Sequence, residues 1–333
     1  DRRAQDGRQR PLDLALDRPQ AGLAGPAAEA RAVIFDVEPH GRHGRSIHDA
    51  RARDHAWGAP PRIVGVRVLL TNDDGISAPG LQAVRRAMRE LDGVTVDVVA
   101  PNRNRSASGR SITTRQPLTV EEIEFEDGDL GYATDGTPVD CVRFADVGLV
   151  GEKPDLIVSG INHGANLGDD ITYSGTVAAA LEGIILGIPA LALSQQSSRG
   201  LGYLSGSFDF GLAAAFSASL VGQLRGTTMP EATLINVNFP AGEPTGVEVT
   251  SLGKRIYNDR LRFLEETEHG HKRYEIYGWE PSHAEVAGTD LNAVAEGRIA
   301  VTPIHFDLTD HDGIETLKGW GFERMLDAGT AAA

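Results

Sequence analysis

Short apolar runs alternate with helix-like patterns through the middle of the chain. The apolar runs lie near residues 66, 96, 156, 191 and 234, and each is too short to form a helix. Such runs suit strands that are buried on both faces of a parallel sheet. Apolar positions at helical spacing follow most of these runs. Strand and helix alternating with short links predict an α/β fold with a mostly parallel sheet flanked by helices.

The pattern differs at both ends of the chain. Residues 1–65 are rich in Arg, Ala, Gly and Pro and show no sustained period, which predicts a disordered extension. Four histidines in this extension have spacings that fit no compact metal site: His40, His43, His48 and His55. Residues 246–333 contain short alternating pieces between charged turns and end in a helix predicted over 316–326. We expect this second region to form a β-rich arm that packs on a partner subunit.

Charge and composition exclude several classes of partner. The formal net charge of −15 would repel a nucleic-acid duplex. No apolar run reaches the roughly 18 residues that a membrane helix needs, and the Arg-rich start lacks the apolar segment of a signal peptide. Cys141 is the only cysteine, and its surroundings suit a buried small side chain better than a nucleophile. We therefore expect a cytoplasmic protein.

Polar side chains follow three of the predicted strands. Asp73 and Asp74 come after the first strand, Ser106 after the second and Asn162 after the third. The carboxyl ends of parallel strands form the edge where ligands bind in open α/β sheets. Two carboxylates, a hydroxyl and an amide make an all-oxygen set that suits Mg²⁺, Mn²⁺ or Ca²⁺. Each residue also has an ordinary interpretation, as part of a solvated turn, a polar loop or a backbone cap.

The third loop ends where a helix is predicted to begin. Tyr173-Ser-Gly-Thr176 leads directly into an apolar helical pattern. Free N–H groups and the helix dipole favour a bound phosphate at such a position. A cation that faces an anion-binding loop is typical of phosphoryl-transfer enzymes.

Four segments in this order resemble the signature segments of the SurE survival-protein family. They are residues 69–81 (LLTNDDGISAPGL), 99–109 (VAPNRNRSASG), 136–142 (GTPVDCV) and 158–183 (VSGINHGANLGDDITYSGTVAAALEG). The resemblance spans residue 66 to about residue 310. It implies a Rossmann-like catalytic domain over residues 66–245, with the C-terminal arm exchanged between the subunits of a homodimer or homotetramer. It also implies a metal-dependent phosphomonoesterase that hydrolyses nucleoside 5′-monophosphates, with 3′-monophosphates and polyphosphate as further substrates.

The resemblance also assigns roles to individual residues. The family's ligands for one Mg²⁺ or Mn²⁺ ion per subunit correspond to Asp73, Asp74, Ser106 and Asn162. The phosphate loop corresponds to Ser174, Gly175 and Thr176, and Asn162 borders the substrate as well. Asp170 and His305 match family-like stretches and are the remaining catalytic candidates, with His305 as proton donor to the leaving nucleoside or, alternatively, a hydrogen-bonded residue of the arm.

Two other functions use part of the same pattern. A nucleotide-binding module without turnover needs a similar sheet and phosphate loop, but it does not need paired carboxylates. A phosphatase with an aspartyl-phosphate intermediate expects Asp-x-Asp after the first strand, where this chain has Asn72-Asp-Asp. The adjacent aspartates therefore favour the metal-dependent nucleotidase.

Overall fold

The structure, a computed structural model, describes residues 65–200, 206–227, 229–278, 282–322 and 324. The predicted extension and its four histidines lie outside the described residues, apart from Gly65. Among the helices that the structure describes, none combines the length and the apolar character needed to cross a membrane.

In the part of the chain that the structure describes, nine strands form the central sheet, in the order β3-β4-β2-β1-β5-β6-β7-β13-β8. Six of its eight neighbouring pairs are parallel, and only β3–β4 and β7–β13 are antiparallel, which confirms the predicted mostly parallel sheet. The strands are β1 (Val66–Thr71), β2 (Val94–Pro101), β3 (Val120–Glu124), β4 (Leu130–Thr134), β5 (Leu156–His163), β6 (Ala190–Gln195), β7 (Thr233–Phe239), β8 (Gly246–Val249) and β13 (Arg298–His305).

Helices cover both faces of the sheet and bury an apolar core on each. They are α1 (Pro79–Arg89), α2 (Pro138–Asp146), α3 (Gly175–Ile185), α4 (Gly211–Leu224) and α5 (Asp290–Ala295). One core holds Leu81 and Met88 of α1 together with Val221 of α4. The other holds Val177 of α3 and Cys141 of α2, so Cys141 is the buried small side chain that its sequence context predicts. Burial raises the pKa of the Cys141 thiol far above its ordinary value.

Local signals explain where these helices begin. Pro79 occupies the first turn of α1, where the missing N–H costs nothing. Thr137 accepts a hydrogen bond from the N–H of Asp140, and the Asp140 carboxylate accepts one from the N–H of Thr137, which closes a capping box at the start of α2. Both starts therefore have a local cause in the sequence, a proline in the first turn and a capping threonine.

Part of the predicted C-terminal arm belongs to the central sheet. β13 pairs antiparallel with β7 and parallel with β8, so the sheet does not end at residue 245. The reason is burial, because Ile299, Ala300 and Ile304 of β13 each have less than a tenth of their surface exposed. The prediction that the whole of 246–333 forms an arm is therefore wrong for these two strands.

The remaining C-terminal strands lie outside the sheet. β10 (Asp259–Glu266) and β11 (Lys272–Gly278) form an antiparallel hairpin, while β9 (Arg255–Ile256) pairs with β12 (Ser282–His283). We call β9–β12 the arm. Helix α6 (His311–Lys318) begins five residues before the predicted start at 316, because the Asp310 side chain caps it by accepting from the N–H of Gly313.

Candidate active site

Three strand ends meet at the carboxyl edge of the sheet. β2, β1 and β5 are neighbours in the sheet and run parallel, so the chain leaves all three at the same edge. The exit from β1 is a tight turn in which the Asn72 side chain bonds both the N–H and the C=O of Gly75. Gly75 has φ +107°, a backbone conformation that favours glycine. This turn places Asp73 and Asp74 at the edge.

Asp73 lies directly against the start of α3. Its carboxylate accepts a 2.6 Å hydrogen bond from the Thr176 hydroxyl, and only 3% of the residue is exposed. A Cβ placed on Gly175 would lie 2.8 Å from both Cβ and Oδ2 of Asp73. The acidic residue therefore touches the predicted phosphate loop, and only a glycine fits between them.

The environment of Asp73 disfavours its charge. Burial raises its pKa, the hydrogen bond from Thr176 lowers it, and repulsion from Asp74 raises it further, with a net value of about 6. An ionised Asp73 is therefore costly in the metal-free fold. A bound cation would relieve both the burial penalty and the repulsion, so the donor set fits a hard divalent ion.

Asp74, in the loop after β1, contacts both the loop after β2 and the end of β5. One of its oxygens accepts from the backbone N–H of His163 at 3.0 Å, and the other accepts from the side-chain amide of Asn104 at 3.1 Å. The Asn104 carbonyl oxygen in turn accepts from the backbone N–H of Ser106 at 2.8 Å. The acidic pair, the Ser106 loop and the end of β5 are thus linked by direct contacts.

The predicted ligands Ser106 and Asn162 differ in exposure. Ser106 is exposed, whereas Asn162 is buried and donates a 2.8 Å hydrogen bond to the backbone oxygen of Gly164. Among the described residues, no three His, Cys, Asp or Glu side chains form a group able to hold a metal ion. A metal at this edge must therefore use neutral oxygens in addition to the two carboxylates, as the predicted set does.

The predicted phosphate loop lies at the N-terminus of α3. Ser174 caps the helix, because its hydroxyl accepts from the N–H of Val177 at 3.1 Å. The Ser106 loop reaches the same place, since the N–H of Gly109 donates to the backbone oxygen of Tyr173 at 3.2 Å. The Ser174 cap engages the N–H of Val177, and the positive end of the helix dipole is the feature that favours an anion here.

A buried polar cluster holds the loop after β5 against strands β6 and β7. The backbone oxygen of Asn166 accepts from the side chains of Asn236 and Asn238, and its own side chain donates to the Ser194 hydroxyl at 2.7 Å. All four residues are at most 9% exposed. No sequence motif predicted this cluster, although polar residues in the buried strands β6 and β7 were the available signal.

Asp170 faces the arm. Its two oxygens accept hydrogen bonds from Arg255 and from the Tyr257 hydroxyl, the latter at 2.6 Å. Those two contacts occupy the carboxylate that was a catalytic candidate. The catalytic role of Asp170 stays a prediction, and its geometry is that of a structural anchor.

His305 lies at the opposite edge of the sheet. It pairs with Thr233 at the start of β7. Followed across the sheet, the strand registers place His305 at the same height along the strands as Val68, which is five residues before Asp73. His305 is also four strand positions from β1. At about 3.3 Å per residue and 4.8 Å per strand, it lies roughly 25 Å from Asp73 in the same chain. His305 is therefore separated from the carboxylates of its own subunit, and its role as a proton donor stays a prediction.

His305→Ala is expected to leave phosphate release from AMP nearly unchanged. The side chain is exposed and distant from Asp73, so kcat/KM should stay within about twofold of the wild-type value. Steady-state kinetics between pH 5 and pH 9 provide the measurement. A large loss of kcat, or a flattened pH profile, would restore the histidine as a proton donor.

Comparison with known proteins extends the resemblance over most of the chain. The sequence model of the family described as "Survival protein SurE" matches residues 68–259. A protein of Rubrobacter xylanophilus named 5′-nucleotidase SurE is 48% identical over 78% of this chain and 99% of its own length. A protein of the same name from Chloroflexus aggregans is 44% identical over 77% of this chain and 99% of its length.

A solved structure agrees with the sequence comparison. The crystal structure of the SurE protein from Aquifex aeolicus has a TM-score of 0.65 and 39% identity, and it matches 76% of this chain and 99% of that protein. The sequence comparison and the solved structure therefore indicate the same family and the same fold. The chain belongs to the SurE survival-protein family.

Proposed function

We propose that the protein is a divalent-metal-dependent phosphomonoesterase that hydrolyses nucleoside 5′-monophosphates to nucleoside and phosphate. The contact of Asp73 with Thr176 and Gly175 carries the proposal, because it joins a carboxylate pair to an anion-binding helix start. The relatives' name, 5′-nucleotidase, agrees with this enzyme class. Hydrolysis of 3′-monophosphates and polyphosphate remains part of the proposal on the family resemblance alone.

One set of residues would bind the cation, and another would bind the phosphate of the substrate. Asp73, Asp74, Ser106 and Asn162 would hold one Mg²⁺ or Mn²⁺ ion, which when bound screens the phosphate charge and acidifies water. The start of α3, from Ser174 to Thr176, orients the phosphate by backbone N–H groups. Burial of Asp73 keeps bulk water from competing for the same oxygens.

The arm supports assembly with further copies of the chain. Its hairpin exposes large apolar side chains, including Leu261 (67%), Phe263 (52%) and Ile276 (75%). Exposed apolar surface of this kind is typical of a protein–protein interface. We therefore include a homodimer or homotetramer in the proposal, with no nucleic-acid or membrane partner and a cytoplasmic location.

AMP hydrolysis with and without metal tests the proposed function. Full-length protein treated with EDTA should lose phosphate release, and added Mg²⁺ or Mn²⁺ should restore it by at least about 100-fold. Metal-independent binding of AMP without release would instead indicate a nucleotide-binding module. A phospho-enzyme trapped by acid quench would favour an aspartyl-phosphate mechanism.

A further inference from the structure

The loop before the phosphate site is fastened to the arm. Asp170 lies in the 3-10 helix Gly168–Tyr173, and Arg255 and Tyr257 lie in and just after β9. Both oxygens of Asp170 are engaged, one by Arg255 and the other by the Tyr257 hydroxyl at 2.6 Å. We call Asp170, Arg255 and Tyr257 the clasp. Asp170 and Arg255 are partly shielded, with 24% and 17% of their side chains exposed, whereas Tyr257 is 48% exposed.

A buried carboxylate reinforces the same junction. Asp290 at the start of α5 has no exposed surface and accepts from the N–H of Gly168 at 2.8 Å and from that of Gly253 at 2.7 Å. Gly168 approaches the arm so closely that a Cβ there would lie 2.7 Å from the Gly253 oxygen. The first residue of the 3-10 helix and the chain leading into β9 are thus held at one point.

The other end of this short helix is the phosphate loop itself. The N–H of Ser174 bonds the backbone oxygen of Ile171 at 3.3 Å, and Ser174 caps α3. Only three residues separate Asp170 from Ser174, and the intervening backbone is helical. A displacement of Asp170 is therefore transmitted to Ser174 and Gly175.

We infer that Arg255 and Tyr257 are positioning residues, which fix the phosphate loop by holding Asp170 in place. This inference rests on the proposed role of Ser174–Thr176 in binding the substrate's phosphate. It gives Asp170 a function without contact to the reacting atoms. It also makes the geometry of the phosphate loop depend on the arm, the part of the chain that we propose to meet other subunits.

The electrostatics of the clasp favour a stable contact. Desolvation of its hydroxyl and the neighbouring Asp170 carboxylate both raise the pKa of Tyr257, so the hydroxyl remains a hydrogen-bond donor at neutral pH. Arg255 donates to the other oxygen of Asp170 through its planar guanidinium. Its guanidinium also lies 5.7 Å from the centre of the Tyr257 ring, which keeps the two donors together.

Substitution of Arg255 separates a positioning role from a general structural one. In full-length protein, Arg255→Gln should raise KM for AMP by about tenfold while kcat changes by less than about twofold, because ground-state binding is lost. The Kd for Mn²⁺ should not change, since Arg255 contacts none of the predicted ligands. Arg255→Lys should recover part of the affinity by keeping the charge.

The coupling to Asp170 is tested by a double-mutant cycle. Asp170→Asn and Arg255→Gln should each raise KM, and the double variant should be no worse than the more affected single one. Arg273→Gln is the matched control, because Arg273 forms an exposed 2.5 Å ion pair with Glu265 in the same arm. Its KM should equal that of the wild type. Additive effects, or an unchanged KM in Arg255→Gln, would overturn the inference.

Hydrogen exchange gives a readout that does not need activity. Amides of residues 168–176 should exchange faster in Arg255→Gln than in wild type or in Arg273→Gln. Should the wild-type protein fail to hydrolyse AMP, the proposed function fails while the exchange experiment still decides whether the clasp orders the loop. Equal exchange in all three proteins would overturn the positioning role.

Discussion

Asp73→Asn is expected to abolish metal-dependent phosphate release and to make the metal-free protein more stable. The variant keeps the size of the side chain and an oxygen for the Thr176 hydrogen bond, but it removes a charge from the cation site. A metal contributes several kcal/mol to transition-state stabilisation, so kcat/KM should fall by at least about 10³-fold. Phosphate release from AMP at saturating Mn²⁺ is the measurement.

The stability gain follows from the raised pKa of Asp73. In the fold this pKa is about 6, against an ordinary value of 3.8. The carboxyl group therefore contributes stability below the lower value, and this contribution is lost as the pH rises through about 6. At pH 8 the buried carboxylate is charged, and replacing it should raise the Tm in EDTA by roughly 2–4 °C.

Metal addition separates the two effects. Mn²⁺ should raise the Tm of the wild-type protein, because a ligand that binds only the folded state stabilises it, and it should not raise the Tm of Asp73→Asn. Asp92→Asn, a substitution of an exposed carboxylate, is the control and should behave as wild type. A variant that keeps its activity, or that loses stability in EDTA, would contradict the cation site.

The central sheet was predictable because its signals are local. β1 and β5 are apolar on both faces, and α2 carries its own capping box, so a window of about ten residues contains the evidence. β13 gave no such evidence. It joins the sheet by pairing with β7, and the paired residues lie 62 to 72 positions apart in the sequence. An alternating strand does not reveal which partner it will find.

Some residues of the candidate site could likewise be predicted from the local sequence, and others could not. Asp73 and Asp74 stand out because a buried strand ends on two charges. Asn104 and His163 were missed because they act on Asp74 from 30 and 89 residues away, His163 through its backbone N–H. Arg255 lies 85 residues beyond Asp170. The parts that position the ligands are therefore set by tertiary contacts that the sequence pattern does not record.

Gly175→Ala is expected to disable the site by filling the space between α3 and Asp73. The new Cβ would lie 2.8 Å from Asp73 Cβ and Oδ2, closer than carbon atoms approach in folded proteins. The Asp73 carboxylate or the helix start must then move, which separates the proposed metal ligands from the proposed phosphate loop. We expect kcat/KM to fall by at least about 100-fold, because misplacement of about 1 Å has that effect.

The same substitution elsewhere in the chain shows that position, not residue type, causes the loss. Gly222 lies in α4, and a Cβ added there would meet no other atom within 4 Å, so Gly222→Ala chiefly reduces the backbone entropy of the unfolded chain. It should stabilise the protein by up to about 1 kcal/mol and leave AMP hydrolysis unchanged. Equal activity in the two variants would mean that the start of α3 does not hold the phosphate, because only Gly175 of the two glycines lies against a proposed metal ligand.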